Sequence, residues 1–265
     1  TDPSSNTTTV TLNIKLDVTP PTMVSLTATI NGTDVTSTTG ELTCEIGSTV
    51  TSIKVLLSEP VTVVGTPVVT IDELDGDYGT IALDPADTTH KTLIITPYFG
   101  NETAGLVGDF TFRVAAGAVK DAWGNESAET TFILHVQDTG APTMSAISFA
   151  GKPGEGSGST WTVDISDVTD ESLLDNGSMT VSEACTLQTK TVDGVNVSGW
   201  CNPVSLNAGV NTGSIKSLLG FTQDITFYIL KIQDLNNDGY LTVVLELTDP
   251  SSNTTTVTLN IKLDV

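Results

Sequence analysis

The sequence predicts an all-β protein organised as a repeated pair of β-domains, and three observations lead to that prediction. Apolar and polar residues alternate along many short segments, which is the period-two pattern of half-buried strands. The strand-favouring residues Thr, Val and Ile are abundant, and long runs of Ala, Glu, Leu and Lys are absent. Residues 1–18 also recur letter for letter at residues 248–265, an offset of 247 residues, and such internal repetition determines the architecture.

The duplicated segment reads TDPSSNTTTVTLNIKLDV and indicates one period of a tandem repeat together with the end of the preceding copy. The apolar residues of its strand are Val10, Leu12, Ile14 and Leu16. We expect residues 9–17 to form an ordered strand that has few contacts with the domain after it. Because an unpaired strand favours pairing with another chain, the predicted partner is another copy's equivalent of Leu241–Leu247, head to tail. The copies are either joined in one polypeptide or exchange strands.

Two similar proline-bearing linkers divide the chain. Residues 19–23 read TPPTM and residues 138–144 read DTGAPTM, with their Pro-Thr-Met ends 121 residues apart. Prolines hold a chain extended and remove backbone donors, which suits a connector. The sequence therefore predicts a strand duplicated from the preceding repeat at 1–18, a first domain at 19–138 and a second domain at 139–265.

The alternation predicts strands throughout both domains. Those of the first domain are Val24–Ile30, Glu41–Ile46, Thr49–Ser58, Pro67–Ile71, Thr92–Thr96, Asp109–Ala115 and Thr130–Val136. The clear strands of the second are Ile225–Ile232, Tyr240–Leu247 and Thr255–Leu263. The glycine-rich residues 151–159 predict an exposed hairpin or linker. About seven short strands per domain, with turns between them, are typical of a sandwich or barrel.

The charge balance excludes several kinds of partner. The formal net charge is −22, with only 10 Lys and Arg residues against 32 Asp and Glu residues. Nucleic acids and anionic lipid surfaces both attract clustered basic residues, so neither is expected as a ligand. No run of eighteen apolar residues occurs, and we therefore expect no membrane insertion in this segment.

Several phrases of the sequence together point to a family. Residues 57–63 read LSEPVTV, residues 117–125 read GAVKDAWGN, and residues 138–143 read DTGAPT. In this order they resemble the bacterial and archaeal immunoglobulin-like repeats of surface proteins, as does the end of the second domain from Gly239 to Asp264. The resemblance does not extend to about residues 151–221. It implies two tandem immunoglobulin-like β-sandwich domains, an extracellular or cell-surface location, and a role in a stalk, adhesin, surface layer or filament.

Catalytic motifs are not evident in the sequence. The two histidines, His90 and His135, fall in a predicted turn and on the polar face of a predicted strand. The sequence has no G-x-S-x-G, no H-E-x-x-H and no glycine-rich phosphate loop before a helix. We therefore expect that the protein is not an enzyme.

One acidic loop is a candidate calcium site. Its proposed ligands are Asp234, Asn236, Asp238 and Tyr240. The first three offer side-chain oxygens at alternate positions before Gly239, and the fourth offers its backbone carbonyl, as in the first half of an EF-hand-type loop. Leu245 stands where the bidentate acid would be expected. The same residues also suit an Asn-Asp-Gly hairpin turn, so Ca²⁺ binding and a turn remain two interpretations.

A second acidic group is expected near the domain junction. There Glu59, Asp121 and Asp138 would meet, as acidic residues do in calcium-rigidified surface repeats. The alternative for Asp121, and for Asp249, is a turn-stabilising pair with the Asn four residues later, through side-chain to backbone hydrogen bonds.

Sequons for N-linked glycosylation occur in every part of the chain. They lie at Asn6, Asn31, Asn101, Asn125, Asn176, Asn196 and Asn253. All fall in predicted turns, loops or strand ends, where an exported chain accepts glycans. Since Thr and Ser are so common here, some sequons are expected by chance.

A disulfide is predicted between Cys185 and Cys201. If residues 192–194 close a three-residue hairpin loop, Thr191 pairs with Val195 and the two cysteines stand directly opposite each other. The strands would have to approach slightly to reach disulfide geometry, and a secreted protein favours oxidation. Cys44 is then left as a buried thiol.

Taken together, these patterns predict a structural repeat unit of a secreted, glycosylated surface assembly that is linked head to tail. The alternative is an adhesin module that binds a glycan or a partner cell. Such modules usually present an exposed aromatic platform, and the three tryptophans, Trp123, Trp161 and Trp200, fall in separate predicted segments.

Overall fold

The structure of the chain, a computed structural model, describes residues 4–5, 7, 9–72, 76–97, 107–168, 175–222 and 239–262. The chain divides into two compact units, Thr1–Asp138 and Thr139–Val265, which we call domain 1 and domain 2. The predicted all-β sandwich class is confirmed, because each unit consists of strands packed around its own apolar core. Among the described residues, no helix has the length and apolar character needed to cross a bilayer.

The described residues of domain 1 form eleven strands. They are β1 (Met23–Ile30), β2 (Thr33–Ser37), β3 (Glu41–Glu45), β4 (Val50–Leu57), β5 (Thr62–Val63), β6 (Val68–Ile71), β7 (Asp77–Leu83), β8 (Thr92–Pro97), β9 (Gly108–Val114), β10 (Val119–Lys120) and β11 (Thr130–Gln137). Nine of them form one sheet in the order β2-β1-β4-β8-β7-β6-β9-β11-β3, and β5 pairs with β10. All seven predicted strands are present, each within two residues of its predicted ends.

The core of domain 1 takes residues from both halves of that strand order. β1, β4 and β8 contribute Leu26, Ile53 and Ile95 from one half. From the other half, Phe112 of β9 stacks on Phe132 of β11 with ring centroids 4.7 Å apart. The alternation read from the sequence therefore places the apolar side chains of both halves inside the sandwich.

In the part of domain 2 that the structure describes, there are eleven strands and one short helix. They are β12 (Met144–Phe149), β13 (Lys152–Pro153), β14 (Glu155–Ser157), β15 (Thr160–Asp164), β16 (Gly177–Val181), β17 (Cys185–Val192), β18 (Val195–Asn196), β19 (Val204–Leu206), β20 (Gly209–Gly213), α1 (Ile215–Leu218), β21 (Tyr240–Thr248) and β22 (Thr254–Lys262). One sheet has the order β13-β12-β16-β20, and the other runs β14-β15-β22-β21-β17-β18 with β19 also on β17. Both sheets line one core. The predicted strand Ile225–Ile232 lies outside the described residues.

The final strand of each domain lies inside its sheet and not at an edge. In domain 1, β11 is antiparallel to β9 and parallel to β3. In domain 2, β22 is antiparallel to β21 and parallel to β15. A strand paired on both sides has no exposed row of backbone donors and acceptors, so each domain is closed by the strand that ends it.

The predicted disulfide is absent, and the hairpin register behind it is wrong. The turn between β17 and β18 has two residues, Asp193 and Gly194, both with positive φ, so Val192 pairs with Val195. Further along, Cys185 pairs with Leu206 of β19, which removes Cys201 from the position opposite it. None of the three cysteines forms a disulfide, and all three are buried. Burial raises the pKa of the Cys185 thiol to about 11, which suppresses the reactive thiolate.

The predicted terminal strand does not form within this chain. Of the described residues before β1, none belongs to a strand or to a strand ladder of domain 1. The physical reason is that a strand needs a ladder partner, and both sides of β11, the equivalent final strand of domain 1, are already paired. The expectation that residues 9–17 make few contacts with their own domain is consistent with this arrangement, while the pairing with another copy stays a prediction.

Candidate functional site

The duplicated segment occupies two opposite environments. In its second occurrence Val257, Leu259 and Ile261 are fully buried, at 0% exposure. Their equivalents in the first occurrence are exposed at 83%, 77% and 70% respectively: Val10, Leu12 and Ile14. Leu16 is exposed at 66%. Because the two segments are identical in sequence, the difference comes from the presence or absence of a partner sheet.

The buried copy shows what the segment packs against. Along β21, Val257, Leu259 and Ile261 lie opposite Leu245, Val243 and Leu241. On the other side, Leu259 and Ile261 lie opposite Trp161 and Val163 of β15. All of these partners belong to the domain 2 core. Each apolar residue of the strand therefore fills a position that only a final strand can occupy.

Polar contacts fix the position of the same strand on its other face. Lys262 Nζ lies 2.8 Å from Asp164 Oδ2 of β15. Thr242 Oγ1 donates to Asn260 Oδ1 at 3.1 Å across the β21–β22 ladder. A shift by one residue would exchange the two faces, so these contacts and the apolar set select the same register.

The exposed copy leads directly into domain 1 and is tied to it at its end. Asn125 Nδ2 donates to the backbone oxygen of Asp17 at 3.1 Å. The Thr22 amide donates to Ser58 Oγ at 3.1 Å, and the Ser58 amide donates to the Thr22 oxygen at 2.9 Å. The polypeptide is therefore held where it enters the domain, although residues 9–16 carry their apolar side chains in solvent.

Domain 2 repeats this entry arrangement. The Thr143 amide donates to Ser182 Oγ at 2.9 Å, and the Ser182 amide donates to the Thr143 oxygen at 2.9 Å. Sequence reasoning left residues 151–221 unassigned and so missed the pair Ser182 and Glu183, the equivalent of Ser58 and Glu59. The signal was a Ser-Glu dipeptide, but the Pro-Val that follows Glu59 is replaced by Ala184 and Cys185.

Each domain contains a turn in which an aspartate accepts hydrogen bonds from the asparagine four residues later. In domain 1 the Asn125 amide donates to Asp121 Oδ1 at 2.8 Å, and Asn125 Nδ2 donates to Asp121 Oδ2 at 2.7 Å. In domain 2 the corresponding distances from Asn253 to Asp249 are 2.8 and 2.9 Å. Both aspartates are only 4% exposed. The interpretation of these pairs as turn stabilisers is confirmed.

An acidic cluster lies where the entering segment meets domain 1. Carboxylate oxygens of Asp17, Glu59 and Asp121 all lie within 4.8 Å of one another. The expectation that Asp138 would be the third member is wrong. Asp17 holds the same position in the linker before domain 1 that Asp138 holds before domain 2, because the two linkers are 121 residues apart.

The electrostatics of the cluster are those of crowded carboxylates. Burial, followed by the charges of Asp17 and Asp121, raises the pKa of Glu59. Burial also opposes ionisation of Asp121, but hydrogen bonds from Asn125, Trp123 and Gly124 outweigh it and lower the pKa of that carboxyl. Such a group of hard oxygen donors fits a divalent cation such as Ca²⁺, whose charge would offset their repulsion.

Of the four predicted ligands in the candidate calcium loop, only Tyr240 lies within the described residues. Asp234, Asn236 and Asp238 lie outside the described residues. Tyr240 begins β21, where it pairs with Lys262. Calcium binding by this loop stays a prediction.

The described sequons differ in the freedom of the asparagine side chain. Asn176 and Asn196 are exposed, and Asn196 Oδ1 accepts from Ser198 Oγ of its own sequon at 2.7 Å. Asn31 is exposed, but its Nδ2 donates to Ser48 Oγ at 3.1 Å. At Asn125 and Asn253 the Nδ2 atom is committed to the turn aspartate. Asn6 and Asn101 lie outside the described residues.

The tryptophans form no shared platform within either domain. Trp161 is buried in the core of domain 2 at 5% exposure. Trp123 in domain 1 and Trp200 in domain 2 are exposed. Each domain therefore exposes a single tryptophan.

Comparison with known proteins assigns the chain to no family. No protein-family model matches it, and no curated protein matches it. Among solved structures, similarity is found to latent PorU from Porphyromonas gingivalis, with a TM-score of 0.29, 11% identity, and coverage of 97% of this chain and 21% of that chain. Human mucin-like protocadherin EC1-2 matches with a TM-score of 0.27, 14% identity, and coverage of 84% and 94%.

The N-terminal part of the bacterial S-layer protein SbsC matches with a TM-score of 0.23, 15% identity, and coverage of 80% of this chain and 41% of that chain. The chain thus spans about a fifth of the length of the PorU chain and two fifths of the S-layer chain.

Proposed function

We propose that this chain is a structural, non-enzymatic repeat unit of a secreted, glycosylated cell-surface assembly, such as a filament, surface layer or stalk, in which copies follow one another head to tail. The observation that carries the proposal is the duplicated segment, which is buried as the final strand of domain 2 and exposed ahead of domain 1. A soluble protein rarely exposes such a regular apolar row without a partner for it.

Head-to-tail repetition follows from the order of the parts. The segment that closes domain 2 has the same sequence as the segment that leads into domain 1, so one copy can continue into another in the same order of parts. A contact between two different surfaces of identical units propagates as a filament or array unless rotation closes it into a ring. The net charge of −22 keeps such an exposed assembly soluble and attracts cations.

A divalent cation at Asp17, Glu59 and Asp121 would stiffen this arrangement. Asp17 belongs to the entering segment, whereas Glu59 and Asp121 belong to the body of domain 1. A bound Ca²⁺ would supply positive charge between the three carboxylates and hold the segment to the domain. We propose this cluster as a calcium site in addition to the loop at Asp234, Asn236, Asp238 and Tyr240.

Imaging of the native surface tests the proposed function. Antibodies against domain 2 should label the outside of intact cells, and electron microscopy of released material should show domains repeating in pairs. Cells that lack the protein provide the control. Recovery of the chain only from inside cells, or only as a dispersed monomer in the medium, would contradict the proposal.

A further inference from the structure

We propose that residues 9–15 complete the larger sheet of domain 2 in a second copy of this chain, in the place between β15 and β21 that β22 fills in its own chain. The inference rests on the proposed function and adds the binding surface, its register and the competition for it. Residues 9–15 are identical to residues 256–262, so the sequence that fits this place is present twice in each chain.

The apolar contacts fix the register of the inserted strand. By the 247-residue offset, Val10, Leu12 and Ile14 take the positions of Val257, Leu259 and Ile261. In that register Leu12 lies opposite Val243 of β21 and Trp161 of β15. Three side chains that are at least 70% exposed would become fully buried, and this burial favours association when β22 does not occupy the place.

The polar face agrees with that register. Lys15 takes the position of Lys262 and so reaches Asp164 on β15. Asn13 takes the position of Asn260 and accepts from Thr242 on β21. Both edges of the inserted strand are paired, since β21 runs antiparallel and β15 runs parallel to it. The inserted strand therefore leaves no unpaired edge at this place in the sheet.

Two strands of identical sequence compete for the single place between β15 and β21. In the isolated chain β22 occupies that place, because a short turn joins it to β21 and gives it a high effective concentration. A neighbour's residues 9–15 enter only when the acceptor's own strand is absent from that place. The same sequence can thus be held as a monomer or linked to the next copy, according to which strand is seated.

Single substitutions in the full chain separate these states. Leu259→Asp places a charge in the core position of β22 and leaves Leu12 intact, so residues 9–15 of other copies should now fill the vacated place. We expect this variant to shift from monomer to head-to-tail oligomers in sedimentation velocity. Leu12→Asp alone should stay monomeric.

The double variant Leu12→Asp with Leu259→Asp is the control against nonspecific aggregation. It carries the same damage to domain 2 but has no intact strand to donate, so its oligomers should be lost. If the double variant associates as strongly as Leu259→Asp, the association comes from exposed core and the inference is overturned. It is also overturned if Leu259→Asp remains a monomer.

Disulfide trapping reports the register in the Leu259→Asp oligomers. Asn13→Cys together with Thr242→Cys should link one copy to the next, because Asn260, the equivalent of Asn13, pairs with Thr242. Thr11→Cys with Thr242→Cys is the matched control, since Thr258, the equivalent of Thr11, pairs with Val244, two residues away. Equal trapping of both pairs, or trapping only within monomers, contradicts the proposed interface.

The outcomes separate this inference from the proposed function. Repeating domains on cells together with a monomeric Leu259→Asp variant would support the proposed function and contradict this interface. Strand-dependent oligomers of the variant together with a dispersed native protein would support the interface and contradict the proposed function.

Discussion

Leu12 and Leu259 have the same neighbours in sequence for several residues on both sides, yet Leu12 is 77% exposed and Leu259 is fully buried. Local sequence therefore does not decide where this strand is placed. The decisive factor is the tertiary partner, β21 on one side and β15 on the other. The two residues form a natural pair for experiments, because the same substitution can be made in both contexts.

Truncation of this pair of leucines should have very different effects on stability. Leu259→Ala is expected to lower the free energy of unfolding of domain 2 by about 2–5 kcal/mol, because it leaves a cavity in the core. Leu12→Ala in the isolated chain should change it by about 0.5 kcal/mol or less, as exposed substitutions do. Urea unfolding followed by circular dichroism measures both. Equal losses would show that residues 9–16 are packed in the isolated chain.

Removal of a turn aspartate should destabilise domain 2. Asp249→Ala deletes a buried carboxylate that accepts from Asn253, and we expect a loss of about 1–3 kcal/mol. Glu155→Ala, at an exposed acid of the same domain, is the control and should be nearly neutral. A thermal melt that does not distinguish the two variants would contradict the structural role of the turn.

Glu59 should make domain 1 sensitive to pH and to calcium. Its pKa is raised in the folded state, first by burial and then by Asp17 and Asp121. The folded state therefore holds this proton more tightly than the unfolded chain, so stability falls as pH rises through the folded pKa, above the usual value of about 4.3. Without calcium, Glu59→Gln should melt at a higher temperature than the wild type at pH 7, and the difference should shrink near pH 4.

Added calcium should reverse that order for the same pair of proteins. Ca²⁺ should raise the melting temperature of wild-type domain 1, and Glu59→Gln should lose most of the gain. A chelator should return the wild type to its starting value. Melting that responds to neither calcium nor the substitution would remove the cluster as a metal site.

Glycan occupancy should follow the freedom of the asparagine side chain. Asn196 is exposed, and the Oδ1 of its side chain, not the Nδ2, takes part in the bond with Ser198. Asn125 uses Nδ2 to hold Asp121 and Asp17. Glycopeptide mass spectrometry of the native protein should find Asn196 modified and Asn125 unmodified. Occupancy of Asn125 at the level of Asn196 would show that its turn opens.

The sequence predicted those strands whose alternation is strict and missed those whose pattern is weak. β21 and β22 were predicted within one residue because every second position is apolar from Leu241 to Leu247 in β21 and from Val257 to Ile261 in β22. β7, which reads DYGTIAL, was missed because Asp77 and Gly79 interrupt the pattern. The alternation that marks a strand is local in sequence, so strands with strict alternation can be predicted from the sequence alone.

Pairing partners and clusters were harder to predict, because they depend on contacts distant in sequence. The Asp193-Gly194 dipeptide is a strong two-residue hairpin signal, so the predicted three-residue loop was wrong and the predicted cysteine register was wrong with it. Asp17 was missed as the partner of Glu59 and Asp121, because residues 1–18 were predicted to belong with the preceding copy. The exposure of Val10, Leu12 and Ile14 in the isolated chain was predicted correctly, because the sequence contains two copies of this strand but only one place in domain 2 that fits it.

Thiol labelling at position 12 tests the central claim most directly. Leu12→Cys adds one thiol to a chain whose three native cysteines are buried, so its reaction with a maleimide can be followed alone. We predict rapid labelling in the isolated chain and strong protection in the native assembly, where the residue would lie between β21 and β15 of the neighbouring copy. Leu259→Cys should be protected in the isolated chain, where β22 fills that place, and should become reactive in the assembly, where β22 is displaced. Equally rapid labelling of Leu12→Cys in the isolated and assembled states would contradict the account.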